Sequence, residues 1–281
     1  GGIQSPLEQL AKLVRTRTQA PVQVYGKDSF KPDTVFRGKP LVEWLQSLRD
    51  ADIEGTAQPA KEVLLAMGPK AIPFLVAAQA VLDWTEVQLS FAPRSVVRDM
   101  GETAIEPLVR LLGSEHTLYA RVILGDIISL HSGWIGRKAP TKEQQQRIDA
   151  RVVKVTRALK PCLGSADAAT RLAALVLLHE VSLVNASPEV WVGIPVGARR
   201  LLDKAPRNEV RGAACQLLVF LGFKGVKGGL TLEELQKMAR PNKNTKGVDT
   251  TLAPEVGQAV LRGILLHMQR DAQKPAPPTG K

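Results

Sequence analysis

A few stretches of the chain carry the residue types that catalysis or metal binding uses. His179-Glu180 opens the pattern of a metalloprotease helix, in which two histidines one turn apart hold zinc and the glutamate beside the first acts as general base. The position that must supply the second histidine is Leu183, so the pair is incomplete and His179 reads as a packed or surface-capping side chain. Glu115-His116, His131 and His267 have no partners at ligand spacing. Gly222 to Thr231, GFKGVKGGLT, has the glycine and lysine of a phosphate loop. It lacks the Gly-Lys-Ser/Thr ending at the required spacing and no strand precedes it, which leaves a flexible turn between helices. Cys162 and Cys215 show neither metal spacing nor a nucleophile signature, and no Gly-x-Ser-x-Gly elbow is present. The expectation is a protein without catalytic, metal-binding or cofactor-binding residues, and not an enzyme.

Residues suited to binding are easier to find. Arg147, Arg151 and Lys154 recur at i, i+4 and i+7, which aligns them on one stripe of a helix starting after Thr141, while Ile148, Val152, Val155 and Leu159 cover another. Such a stripe can follow a phosphate backbone or simply form a solvated face. A second basic region holds Lys224, Lys227, Lys237, Arg240, Lys243 and Lys246. Trp134, in HSGWIGRKAP beside Arg137 and Lys138, has the composition of an interface hot spot, although packing of that loop onto its own repeat accounts for it equally. Trp44, Trp84 and Trp191 lie in or beside helical segments and read as core.

The elements that must position these residues are repeated helices. MGPKAIPFLV from Met67 and MGETAIEPLV from Met100 are one phrase written twice, 33 residues apart. In each copy a glycine closes one helix and an Ala-Ile-x-x-Leu-Val run starts the next. Downstream, RLAALVLL from Arg171 and RGAACQLL from Arg211 match forty residues apart, with RVILGDII from Arg121 as a looser copy and the leading arginine placed at the solvent edge. Small residues followed a turn later by long apolar ones let helices approach and interlock. Helix starts are signed at Ser5-Pro6-Glu8, Thr141 with Gln144, Ser165, Ser187-Pro188-Glu189, and Thr231 with Glu234. Val256, Val260, Ile264, Leu265 and Met268 form the apolar face of the last helix. The organisation expected is an N-terminal helix over 1–18, an extended arm over 19–40, a repeat array over 41–272 and a Pro-rich tail over 273–281, QKPAPPTGK.

The class expected is all-α: the 281 residues are 44% hydrophobic and only 4% aromatic, and Leu, Ala and Val favour helix packing over sheets. The net charge of +11 falls almost wholly in the C-terminal half, with 18 cationic against 17 acidic residues to 150 and 20 against 10 thereafter. That asymmetry suits an acidic partner, whether protein, nucleic acid or anionic membrane surface. No run approaches the uninterrupted apolar length of a membrane span. The two cysteines can be small buried thiols or pair across neighbouring repeats in an oxidising compartment. The chain opens Gly1-Gly2, which fits a processed or an engineered end.

The Gly-x-x-Ala-Ile-x-x-Leu phrase at Gly68 and Gly101, with Arg-x-Ala-Ala-x-x-Leu-Leu at Arg171 and Arg211, resembles the HEAT-repeat family over roughly Leu41 to Arg270. The resemblance implies a right-handed α-solenoid of helical hairpins and a non-catalytic role, as a scaffold or accessory subunit that holds another protein within a multi-subunit assembly. FRGKPLVEWLQSLRD, Phe36 to Asp50, resembles the opening of arrays in bacterial secreted proteins of the planctomycete type, which favours a periplasmic or otherwise extracytoplasmic address over a cytoplasmic one. Deoxyhypusine hydroxylases of this family hold two irons with several His-Glu pairs; one pair, His179-Glu180, cannot assemble that site. HEAT-like alkylpurine DNA glycosylases use a basic concave face, so a nucleic-acid-binding protein acting on DNA bases is the alternative. Spacing drifts from 33 to 40 residues and Ser132 to Pro140 is an insertion, both departures from a regular array.

Overall fold

The computed structural model describes residues 34–54, 58–82, 91–129, 141–184, 186–239 and 254–272, in two compact units that divide between Gly136 and Arg137. The N-terminal helix over 1–18, most of the arm and the Pro-rich tail lie outside the described residues. The fold is all-α apart from one short hairpin among the described residues.

That hairpin is the end of the expected arm, and it is paired. β1 (Val35–Phe36) and β2 (Lys39–Pro40) are antiparallel, with Val35 opposite Pro40 and Phe36 opposite Lys39. The two turn residues, Arg37 and Gly38, both take positive φ, 49° and 81°, as a tight two-residue hairpin requires. Trp44 Nε1 donates to the Phe36 carbonyl at 2.8 Å and Lys39 Nζ stands 5.1 Å from the Trp44 ring, so the hairpin closes onto the helix that follows.

The first unit continues as α1 (Leu41–Glu54), α2 (Gln58–Met67), α3 (Ile72–Leu82), α4 (Phe91–Asp99), α5 (Ile105–Arg110) and α6 (Thr117–Ser129). The repeated phrase does the same thing twice. Gly68 and Gly101 adopt φ of +67° and +60°, each begins a 3-10 turn, Gly68–Ala71 and Gly101–Ala104, and α3 or α5 leaves from it. Ala71, Ile72, Leu75 and Val76 are fully buried in one copy, as are Ala104, Ile105 and Leu108 in the other. The two turns touch, α2 packs on α4 and α3 on α5, so each copy covers its equivalent. Each fully buried Ile or Leu of this seam contributes about 1.5–3 kcal/mol relative to exposure. Arg94 on α4 grips Asp126 on α6 with two parallel hydrogen bonds, Nη2 to Oδ1 at 2.6 Å and Nε to Oδ2, while its backbone N–H donates to Gln79 Oε1 on α3 at 3.1 Å. Residues 59–79 are long and apolar enough to cross a membrane by composition alone, yet 67% of that window is buried within the protein and Gly68 breaks it.

The second unit contains α7 (Lys142–Leu159), a 3-10 turn (Lys160–Gly164), α8 (Ala168–Ser182), a second turn (Pro188–Trp191), α9 (Ile194–Lys204), α10 (Asn208–Phe223), α11 (Leu232–Ala239) and α12 (Pro254–Ala272). The Arg-Ala-Ala phrases lie on α8 and α10, which pack together, and α10 packs in turn on α12. Their leading arginines are not at the solvent edge. Both are half-buried: Arg171 Nη1 donates to the Ser165 carbonyl at 2.8 Å and Arg211 Nε to the Leu202 carbonyl at 3.0 Å. Leu202 lies in the last turn of α9, where carbonyls have no helical partner, so Arg211 satisfies one of them.

Two helix starts differ from the reading of the sequence. The cap of α8 is Asp167, whose Oδ2 accepts from Thr170 N at 2.6 Å, and Ser165 Oγ only braces Asp167 N at 3.1 Å. Ser187 starts a 3-10 turn rather than an α-helix. Thr141 with Gln144 and Thr231 with Glu234 form reciprocal capping boxes as their spacing requires.

A Cβ at Gly68 or Gly101 meets nothing within 4 Å, so alanine there is opposed only by the left-handed backbone. Gly68→Ala and Gly101→Ala are each expected to destabilise by about 1–2 kcal/mol. Gly164→Ala, which has equal room and no positive φ, serves as the control in urea denaturation. An equal loss in all three variants rules out this account of the repeated glycine.

Candidate functional site

The residues singled out for binding divide into four groups. Arg147, Arg151 and Lys154 share a stripe of α7 that runs beside the buried one of Val152, Val155 and Leu159. The stripe is tempered by acid. Arg147 Nη2 donates to Glu143 Oε1 at 2.7 Å across one turn, and Arg151 is half-buried. Lys224 is a structural cation. Its Nζ donates to the Val184 carbonyl at 2.7 Å, just past the end of α8, and lies 5.5 Å from the Phe220 ring; burial lowers its pKa. Lys227 is exposed. Trp134, Arg137, Lys138, Lys243 and Lys246 lie outside the described residues.

The Gly222 to Thr231 segment is a built turn. Val226 N–H donates to the Leu221 carbonyl and Leu230 N–H to the Leu218 carbonyl, both at 2.9 Å. Gly222 and Gly229 press backbone on backbone: a Cβ at Gly222 would stand 1.9 Å from the Leu230 oxygen, and one at Gly229 2.2 Å from the Gly222 nitrogen. Arg199 of α9 clamps it, Nε to the Gly228 carbonyl at 2.7 Å and Nη2 to the Gly229 carbonyl at 3.0 Å, while Nη1 meets Glu234 Oε1 of α11 at 2.9 Å. The Arg199 guanidinium, against some desolvation, holds the Glu234 carboxyl below its usual range.

The residues with catalytic overtones pack. His179 meets the Phe220 ring edge-on at 5.6 Å, and burial, with the charge of Arg262, lowers its pKa. His267 is buried and meets Phe223 edge-on at 6.0 Å. Cys162 and Cys215 are free thiols; burial pushes Cys215 up to about 11.

Two surface features escaped the sequence reading. The first is the outer face of α12. Val256, Ala259, Val260 and His267 are buried, whereas Leu261, Leu265 and Met268 are 61%, 58% and 58% exposed. Leu265 and Met268 were expected in the core face; they belong with Leu261 to an i, i+4, i+7 stripe on the opposite side of the helix. Leu261 was the missing signal, since it extends the apolar spacing around the far side.

The second feature is a cleft of about 240 Å³ in which α7 and the Lys160 turn supply Val153, Thr156, Arg157 and Lys160, and the segment leading into α9 supplies Glu189, Val190, Val192 and Ile194. Its second wall is held in place. Asp149 on α7 accepts from Ser187 N at 2.9 Å and Ser187 Oγ at 2.5 Å, and Trp191 is fully buried. Ser187 therefore serves the loop and not a helix cap. The signal for it, an aspartate 38 residues away, is not local in sequence.

Comparison of the chain with protein-family models, with curated proteins and with solved structures gives no match in any of the three.

Desolvation by partial burial raises the pKa of Asp149, but hydrogen bonds from Ser187 and Gln145 outweigh it and leave the carboxyl below its usual 3.8. The carboxylate thus contributes stability that is present above the unfolded value and lost as the pH falls through the folded one. Asp149→Asn is expected to lower the thermal midpoint at neutral pH, with the gap to wild type closing below about pH 4. Melting curves from neutral to strongly acid pH check this; a gap that stays constant contradicts it.

Proposed function

We propose that this protein is a non-catalytic HEAT-like repeat scaffold that holds a partner protein, with its two units read as segments of one right-handed α-solenoid. The observation that carries the reading is the exposed Leu261-Leu265-Met268 stripe of α12. A helix that buries one face against α10 and α11 and offers a second apolar face to solvent is suited to receive an amphipathic helix, which seats residues at the same spacing. Repetition supports it: α8 packs on α10 and α10 on α12, so the exposed stripe belongs to the last helix of that row among the described residues.

The nucleic-acid alternative has less behind it. Arg147 is engaged by Glu143 and Lys224 by a main-chain carbonyl, which removes two of the cations that would neutralise phosphates.

The test is native affinity purification of the full chain from its source cells beside a Leu261→Asp, Leu265→Asp, Met268→Asp variant. A defined partner is expected with the wild type and lost with the variant, while the thermal midpoint changes little because exposed positions usually cost within about 0.5 kcal/mol. A wild-type chain that purifies strictly alone and monomeric sinks the proposal. Steeply salt-dependent DNA binding in its place favours the alternative.

A further inference from the structure

The cleft between α7 and the start of α9 brings charges of both signs against an aliphatic lining. Arg157 and Lys160 stand at exposed positions three residues apart, and Glu189 stands on the other wall. No ion pair joins any of the three among the described residues, although opposite charges line the same small space. The remaining lining is mainly aliphatic, from Val153, Val190, Val192 and Ile194. Val192 and Val196, at the cleft and one turn into α9, are 79% and 73% exposed.

The second wall of the cleft is held in place along its backbone. Asp149 ties the Ser187 end of the second wall to α7, buried Trp191 anchors its middle, and Gly193 ends it in the left-handed region at φ 81°. A Cβ at Gly193 would lie 2.5 Å from Lys160 Nζ, which places the ammonium at the rim beside this glycine. A site that needs no rearrangement loses less of its binding energy to ordering.

We propose that this cleft docks a peptide segment of a partner protein that presents a single carboxylate beside aliphatic side chains. This deepens the scaffold reading and rests on it. Two cations against one anion leave one positive charge to be neutralised, which one Asp or Glu side chain does. A second acidic group would meet Glu189, and so would the further charges of a phosphodiester strand, on walls where four of the eight lining residues are aliphatic. The volume is below the roughly 300–1,000 Å³ of small-molecule pockets, and it suits one or two side chains of a peptide lying across Val192 and Val196.

The test is titration of the full, isotope-labelled chain with three capped pentapeptides, Ala-Leu-Glu-Leu-Ala and its Gln and Lys counterparts, followed through backbone amide shifts. The Glu peptide is expected to give saturable shifts at residues 153–160 and 189–197, with the Gln peptide at least about tenfold weaker, a difference of ~1.4 kcal/mol, and the Lys peptide silent. Arg157→Glu with Lys160→Glu should abolish the shifts; both positions are exposed, and an otherwise unchanged amide spectrum verifies the fold. Val192→Asp should weaken them, and Leu265→Asp should leave them intact. Absence of saturable shifts at those amides, equal binding of Glu and Gln peptides, or a response to a single-stranded oligonucleotide there in place of the peptide overturns the assignment. Loss of a partner on α12 substitution with no peptide response in the cleft leaves the scaffold standing and removes only this site. A peptide response in a chain that purifies alone does the reverse.

Discussion

The second unit is organised by one helix that is covered from several directions. α10 packs against α8, α9 and α12, and its buried residues, Val210, Ala214, Cys215, Leu217, Leu218, Val219 and Leu221, reach around more than half of its circumference. Such a helix has no polar side to give away, which is why RGAACQLLVFL reads as nearly continuous apolar sequence. Leu217, Leu218 and Leu221 are fully buried, and together their burial is worth about 5–9 kcal/mol, as much as the net stability of many whole domains. Every neighbouring helix borrows its position from this surface. The exposed stripe of α12 exists because α12 has already spent one face on α10.

Apolar repetition was legible in the sequence because it is local and periodic. Met67 to Val76 and Met100 to Val109 announced both the glycine break and the buried run after it, and the capping boxes at Thr141 and Thr231 are written within four residues. Polar side chains were misread for the opposite reason. Arg171, Arg211 and Lys224 look like surface charge, yet each donates to a backbone carbonyl at a helix end or in a turn. No spacing rule finds the acceptors of Arg211 and Lys224, which lie 9 and 40 residues away. The same applies to Asp149 and Ser187, separated by 38 residues and joined by two hydrogen bonds that shape the cleft.

These inward-turned cations change the meaning of the net charge. A count of lysine and arginine measures attraction for an anionic partner only where the side chains are solvated and unengaged. In this C-terminal half several of them are consumed in closing helix ends, a task created by the unpaired carbonyls that every short repeat helix leaves behind. Short helices multiply such ends, so part of the basic excess follows from the architecture itself.

The turn from Gly222 to Thr231 carries that logic furthest. Composition alone makes it the most pliable piece of the unit, with glycine and lysine in alternation. Gly222 and Gly229 are there because two backbone segments meet with no room for a side chain between them, and Arg199 of α9 fastens the turn to itself and to Glu234 of α11. α10 and α11 are consequently joined by a weld in place of a hinge. The Leu230 N–H to Leu218 carbonyl bond ties the far end of the turn back to the helix it leaves, so the segment that composition makes loosest is fastened at both ends.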